Sequence, residues 1–460
     1  MNTKTLLGRR PARRFTGVAA LAASTLVLAA CGSGSSGAES TDAAASAAAS
    51  PASAAAAAGD AGECTNLNVL FPQTHAGASE ILKAGFETAN PGLTITPTLI
   101  PYDELQQKAT LDVQSGAGNF DVFDMWYVSV GALANDGVIA PLDDLVADPE
   151  VNAQDFIPSI YDAYSLVDGQ RYALPFDGDT QVLFYNKEIL DRNGVTPPTT
   201  WDEYAAAVKK ITDAEKSNGV YGAALMAQKA PIIIASTYAN RLAGFGGGFL
   251  DADGNPTLGT PEAIAAAQAM LDVAEASLPT PAETAFDQAL GAFLGGKAAF
   301  MEFWTDLGVF AENPDQSQIM GKWGVVELPV GGSATSSLAA LDAGFSMAIS
   351  TATSCSDLAK QFVVYSTSQP VNLELITTTG SGIDPSRQST LMAPEYIEFA
   401  PQVQAVAQNS LNGALVWPTA PQAPELMQVL ADGLANMMAG SGTAEETMAS
   451  VNEQWQSILG

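Results

Sequence analysis

Asp177 and Asp179 flank a single glycine in the run "FDGDT", with apolar sequence before it in "YALP" and after it in "VLFY". Carboxylates set in apolar surroundings are costly unless a partner meets them, and a polyhydroxyl ligand, whose O–H groups donate to carboxylate oxygens, is such a partner. Sugars also present patches of C–H that pack on aromatic faces. Trp126 and Tyr127 follow the apolar run "DVFDM", and Trp304 follows "GKAAFMEF". Other chemistries find less to work with. His75, in "FPQTHAG", is the only histidine, so multi-histidine metal sites and Ser–His or Cys–His nucleophile pairs have no support. The paired carboxylates of a glycoside hydrolase stay open, because fifty acidic residues leave no spacing rule to exclude them. "DADGNPTLGTPE" imitates a calcium loop through Asp251, Asp253, Asn255 and Glu262, but the sixth position, which needs glycine, is Pro256. An Asp-Gly turn followed by a helix capped at Thr260 explains the same residues, so no metal and no cofactor is expected.

The elements that must position these residues alternate between strand and helix. "LNVLF", "LTITPTLI" and "DVFDMW" read as strands, separated by the helical runs "SEILKAGFETANPG" and "YDELQQKATLDVQSG". Such a βαβαβ unit predicts an α/β fold with a mostly parallel sheet flanked by helices. "VLFYN" opens a second unit. Thr200 with Glu203 and Thr443 with Glu446 have capping-box spacing, and Thr260 with Pro261 marks another helix start. Further on, "GFSMAIS" reads as a strand and "DLAKQFVVYSTS" as a helix. In parallel α/β sheets ligands bind past the carboxyl ends of strands, where Trp126 and Tyr127 fall.

Lys4, Arg9, Arg10, Arg13 and Arg14 precede an apolar or small-residue run from Phe15 to Ala30, so residues 1–30 read as a secretory signal, too short for a comfortable membrane span. Leu28-Ala29-Ala30-Cys31 resembles the lipobox of bacterial lipoproteins, in which the cysteine carries a diacylglyceryl group and becomes the mature N-terminus. Cys31 is then the only attachment to the membrane. Residues 31–62 are Ala, Ser and Gly with a few acids, a composition that cannot offset its own ordering entropy and predicts a flexible tether. The whole chain has a formal net charge of −31, and the signal holds five of the nineteen basic residues and no acid. So acidic a surface repels polyanions and excludes nucleic acid as a partner.

The run "YALPFDGDTQVLFYNKEILDRNGVTPPTTWDEY" resembles the signature of family 1 extracellular solute-binding proteins, the sugar-binding components of ABC importers, which include the maltose-binding protein. "DVFDMWYVSVGALANDGVIAPLDDL", "AFLGGKAAFMEFW", "KWGVVELPV" and "MMAGSGTAEETM" carry the resemblance over nearly everything after the tether. It implies a two-lobed fold of the type II periplasmic-binding-protein kind. Residues 63–176 and 341–370 would form the N-terminal lobe and residues 177–340 and 371–460 the C-terminal lobe. Crossings are expected near 176–179, 340–345 and 370–378, with solute in the cleft between the lobes and hinge closure around it. It further implies a monomeric protein without enzymatic activity, held at the outer face of the cytoplasmic membrane, that delivers a mono- or oligosaccharide to ABC permease subunits. Polyols and polyamines are bound on the same scaffold and remain alternatives.

The same resemblance implies site residues. Asp179 matches an acidic sugar-contacting position, with Asp177 second, and Trp304 lies in another contact region. His75 falls in a loop that faces the cleft. Gly344 and Phe345 follow a crossing where bare backbone approaches ligand, Ser381 and Arg387 lie in the glycine-rich "TTTGSGIDPSR", and Trp417 precedes a cleft-lining helix. With Cys31 lipidated, Cys64 and Cys355 form an even pair in an oxidising compartment. In the implied fold the strand after Cys64 runs toward the cleft and the strand before Cys355 runs away from it, antiparallel. Both cysteines then reach the end remote from solute, either bridged or as separate thiols.

Overall fold

A computed structural model describes residues 64–460 apart from Asn412. The expected signal, the tether and Cys31 lie outside these residues. The chain opens with β1 (Asn66–Pro72), α1 (Ala76–Ala89), β2 (Thr94–Ile100), α2 (Leu105–Gln114) and β3 (Val122–Trp126), the βαβαβ unit of the sequence reading. After it come β4 (Ala173–Asp177), β5 (Gln181–Asn186), β6 (Tyr221–Ala223), β7 (Ala298–Trp304), β8 (Trp323–Val326) and β9 (Phe345–Ile349).

Two main sheets result. The first has the order β2-β1-β3-β9-β4 and the second β8-β5-β7-β6. β1 is parallel to β2 and β3, whereas β9 runs antiparallel to both β3 and β4. Every residue of β7 and of β9 is buried, which is why these strands read as continuous apolar runs rather than as an alternation. β2, at an edge, keeps exposed and buried residues mixed. The helix signals act as read. Thr200 and Glu203 cap α3 (Trp201–Glu215), and Thr260 caps α4 (Pro261–Ala274), which has proline in its first turn. Past α5 (Ser356–Ser366) and α6 (Gln369–Ile376), Thr443 and Glu446 cap α7 (Ala444–Leu459). Each cap satisfies an orphan N–H of a first turn, worth about 1 kcal/mol.

The chain passes between the sheets at a few places. β4 ends at Asp177 and β5 begins at Gln181, so "DGD" is the first passage. The second runs through Ala339–Leu341, paired in parallel with Ala414–Val416, into β9. The segment expected to form a third, 370–378, lies largely within α6. That helix buries Val371, Leu375 and Ile376 and packs on α1 and α5 beside the first sheet. Residues 387–389 still bond to Thr367, Val151 and Asp155, and only with helix Pro401–Ser410, which packs on β8 and β5, does the chain reach the second sheet.

At the far end of the first sheet, β9 leaves Ile349 opposite Val122, which itself pairs with Val69 of β1. The segments flanking these strands bring the Cys64 and Cys355 Sγ atoms to 2.09 Å, with Cα atoms 5.7 Å apart. The calcium-like loop is a turn closed by its own carboxylate. Asp251 Oδ1 accepts from the backbone N–H of Asp253 and of Asn255, at 2.9 and 2.8 Å. Among the described residues no helix is long and apolar enough to cross a membrane.

Candidate functional site

The strand ends converge. Phe345 at the start of β9 pairs with Trp126 at the end of β3 and with Asp177 at the end of β4, while on the second sheet Gln181 pairs with Trp304 at the end of β7. Between these ends lies a cavity of about 190 Å³, lined by Asp177, Asp179, His75, Trp304 and Phe345 among others. Residues not foreseen complete it: Asp306 and Asp384 beside the two expected acids, and Tyr102, Phe286, Phe303 and Phe310 beside the two expected aromatics.

Glycine makes the first passage possible. A Cβ at Gly178 would lie 2.0 Å from the Pro385 carbonyl oxygen, so only glycine lets the 381–386 loop close against "DGD". The closure is fixed by Asp384 N–H, which donates to Asp177 Oδ1 at 2.7 Å, and by Gly178 N–H, which donates to the Asp384 carbonyl at 3.3 Å. As a result Asp177, Asp179 and Asp384 bring carboxylate oxygens within 4.8 Å of one another, all buried. Burial, followed by the charges of Asp177, Asp384 and Asp306, pushes the Asp179 carboxyl well above the usual range. Asp306 moves the same way, through burial and then through Asp384 and Asp177. Burial also raises Asp384, to about 6, opposed first by a hydrogen bond from the Asp179 carboxyl and then by one from the Thr305 hydroxyl, with the charge of Asp177 adding to the shift.

His75 stands behind this cluster at 2% exposure. Its Nδ1 lies 2.7 Å from Asp124 Oδ2 and its Nε2 lies 3.4 Å from Asp177 Oδ2. Burial alone would drive off its proton, but Asp124 and Asp177 outweigh it and push the imidazole up to about 10. The ring is therefore a cation at neutral pH, held edge-on to Phe345 at 4.7 Å. Trp304 closes the opposite wall. Its Nε1 donates to Asp342 Oδ1 at 2.9 Å, and its ring packs against Phe286 and Phe303 at 4.9 and 5.0 Å. Tyr102, from the loop after β2, meets Phe286 across the cavity at 6.0 Å.

The remaining expected residues are not brought to the cavity wall. Tyr127 is buried in the hydrophobic core, stacked on Tyr164 at 4.3 Å, with its hydroxyl donating to the Leu341 carbonyl and accepting from Trp417 N–H at 3.1 Å. Trp126 donates from Nε1 to the Asp342 carbonyl at 2.8 Å and lies edge-on to Trp417, whose ring is packed between Trp126 and Phe249. Trp126, Tyr127 and Trp417 thus stitch the second passage together. Gly344 is a packing requirement, since a Cβ there would fall 1.9 Å from the Tyr164 hydroxyl. Ser381 turns its hydroxyl back to the Leu375 carbonyl at 2.6 Å, although its neighbours Gly380 and Gly382 line the cavity. Arg387 is fully buried and spends its guanidinium on the carbonyls of Thr367 and Val151, at 2.7 and 2.9 Å, and on Asp155 at 3.4 Å.

Residues 71–372 match the family described as bacterial extracellular solute-binding protein. The chain is 26% identical over 382 residues to a probable amino-acid ABC transporter periplasmic-binding protein of Sinorhizobium fredii, covering 81% of this chain and 84% of that one. It is 24% identical to the mannitol-binding protein of Pseudomonas aeruginosa, over 69% and 72% of the two chains. An ABC transporter solute-binding protein from Agrobacterium radiobacter, solved in complex with ribitol, superposes with a TM-score of 0.78 at 24% identity, covering 86% of this chain and 99% of that one.

Proposed function

The chain belongs to the bacterial extracellular solute-binding protein family, and from that premise we propose that it captures a carbohydrate or polyol between its two sheets and delivers it to an ABC importer. The fold is the two-lobed α/β architecture of type II solute-binding proteins. The observation that carries the reading is the cavity itself, which sets buried carboxylates opposite aromatic faces at the converging strand ends. Carboxylates accept from hydroxyls and aromatic faces cover C–H patches, the two surfaces that a polyhydroxylated solute presents.

In this reading Asp177, Asp179 and Asp384 accept from solute hydroxyls, Trp304 and Phe286 pack on the carbon skeleton, and His75 holds Asp177 in place. The two lobes close around the solute, and it leaves unchanged. The proposal includes a monomer at the cell surface, tethered through lipidated Cys31. Replacing Cys31 with Ala is then expected to release the protein into the medium, and retention at the membrane would count against the anchor.

The function is tested by a thermal-shift screen of the chain from Gly62 onward against sugars and polyols, with the solute recovered afterwards. A solute at about a hundred times its Kd adds about 2.7 kcal/mol of stability. A rise in melting temperature with one chemical class, with the solute recovered intact, is expected. No rise with any member, or turnover of the solute, overturns the reading.

A further inference from the structure

The cavity wall is chemically lopsided. Asp177, Asp179, Asp287, Asp306 and Asp384 line it, and among the described residues no Lys, Arg, Asn or Gln does. Its one cationic side chain, His75, is engaged by Asp124 at 2.7 Å and Asp177 at 3.4 Å, and Trp304 Nε1 is engaged by Asp342. With the acids ionised, Thr74 and Tyr102 carry the only other side-chain hydrogen-bond donors among the described wall residues. Every hydroxyl of a neutral polyol accepts as well as donates, so a wall fitted to one offers donors in comparable number. This wall offers acceptors.

The excess is only partly consumed internally. Asp179, only 7% exposed, hydrogen-bonds the Asp384 carboxyl but otherwise faces the negative charges of Asp177 and Asp306. Asp306, also on the wall, leaves its buried Oδ1 without a hydrogen-bond partner. Around them stand aromatic rings, among them Trp304, Phe286, Phe303 and Tyr102, whose π faces attract cations.

We propose that the solute selected by this cavity carries a protonated amino group, as an amino sugar or amino polyol does, with its ammonium seated among Asp179, Asp306 and Asp384 and its carbon skeleton against Phe286 and Trp304. The inference rests on the solute-site reading above and narrows its substrate class. The N–H donors of an ammonium match carboxylate oxygens, and one positive charge offsets the like-charge repulsion within the cluster.

The proposal fixes a pH dependence. Without solute, Asp179 and Asp306 sit well above the usual carboxylate range and Asp384 is raised to about 6, so the cluster holds protons at mildly acidic pH. An ammonium displaces those protons, and its affinity rises with pH through this range. The other groups facing the cluster do not imitate the effect. His75, with Asp124 behind it, stays charged up to about 10. Tyr164 near Asp179, and Tyr396 near Asp384 and Asp306, stay neutral because burial raises both well above 10. Asp342, raised by burial to about 7, bonds Trp304 on the far side and affects neutral and aminated solutes alike.

The test is calorimetric titration of the exported chain with matched pairs: D-glucitol against 1-amino-1-deoxy-D-glucitol, and D-glucose against D-glucosamine. Each is measured at about pH 5.5 and about pH 7.5, in two buffers of different ionisation heat. The aminated member of at least one pair is expected to bind about tenfold tighter or more at the higher pH. Its advantage should shrink at the lower pH, binding should release protons, and Asp179→Asn should erode the preference. A neutral member that binds as tightly as its aminated partner overturns the inference and leaves the solute site standing. A preference indifferent to pH overturns the assignment of the ammonium to the acids. Binding by no member of either pair overturns the inference and counts against the solute-site reading as well.

Discussion

Two buried acidic regions in this protein are treated in opposite ways. On β7, Glu302 is 5% exposed and receives both arms of Arg241, at 2.8 and 2.9 Å. Asn240 Nδ2 adds a third bond at 3.0 Å and also donates to Gln181 at 2.6 Å. A few residues away, Asp179, Asp306 and Asp384 have no lysine or arginine among the described residues of the cavity wall, and Asp179 is hydrogen-bonded to the Asp384 carboxyl instead of to a cation. The chain evidently can neutralise a buried acid, and at the cavity it does not. A paired charge is framework, because removing its partner strands it in low dielectric. A cluster left short of cationic partners is, in the proposed function, a site kept ready for a ligand that supplies them.

The comparison is broken most forcefully at the framework end. Arg241→Met leaves Glu302 buried and unpaired, and is expected to cost about 3–5 kcal/mol of folding stability while leaving solute affinity per folded molecule unchanged. Replacing Arg241 and Glu302 together with apolar residues should recover most of the loss. Chemical denaturation with parallel solute titration checks both, and a selective loss of affinity would place Arg241 in the site instead. The Cys64–Cys355 link sharpens the contrast, since it lies at the opposite end of the first sheet from the cavity. Replacing both cysteines with Ala should lower stability by about 2–4 kcal/mol at constant affinity. Thiol counting in denatured, non-reduced protein lacking Cys31 should find no free thiol, whereas two free thiols would refute the bridge.

A smaller effect should distinguish the two regions by pH alone. A carboxyl raised by folding binds more protons in the native state, so its contribution to stability is greatest below the unfolded value and is lost as pH rises through the folded one. Asp384, at about 6, and Asp342, at about 7, place that loss between the ordinary carboxylate range and neutrality. Unliganded protein should therefore lose stability between about pH 4 and about pH 7. Asp384→Asn should flatten the slope, and a slope unchanged in that variant would remove Asp384 as its source. Changes at Arg241 should leave it in place.

Much of this arrangement was legible in the sequence, and what was not has a physical reason. The apolar flanks of "FDGDT" marked Asp177 and Asp179 because buried carboxylates demand a partner, and both line the cavity. Trp304 was marked by its place at the end of an apolar strand, and His75 and Phe345 by resemblance. Asp384 was missed although its loop was singled out. Ser381 and Arg387 looked like the chemistry in "GSGIDPSR", but the hydroxyl satisfies a local carbonyl, and the arginine is long enough to reach four partners away from the cavity. Sequence cannot tell an arginine satisfied inside the fold from one awaiting a ligand. An acid between isoleucine and proline in a glycine-rich loop was the available signal. Trp126 and Tyr127 lie at a strand end that reaches the cavity, but Tyr127 turns into the core and Trp126 is held by the passage that returns to β9. Tyr102, Phe286 and Phe310 come from three separate segments, and only the tertiary fold assembles them.

The central claim, that the unpaired acids exist to hold solute, is tested most directly on Asp179→Ala by measuring melting and affinity on the same samples, with the solute that most raises the wild-type melting temperature. The account predicts affinity weakened by about 1.5–3 kcal/mol, the scale of a charge-assisted hydrogen bond, with the unliganded melting temperature unchanged or higher because a like-charge contact has been removed. Unchanged affinity together with a lowered melting temperature would contradict it, and would make Asp179 part of the framework alongside Glu302.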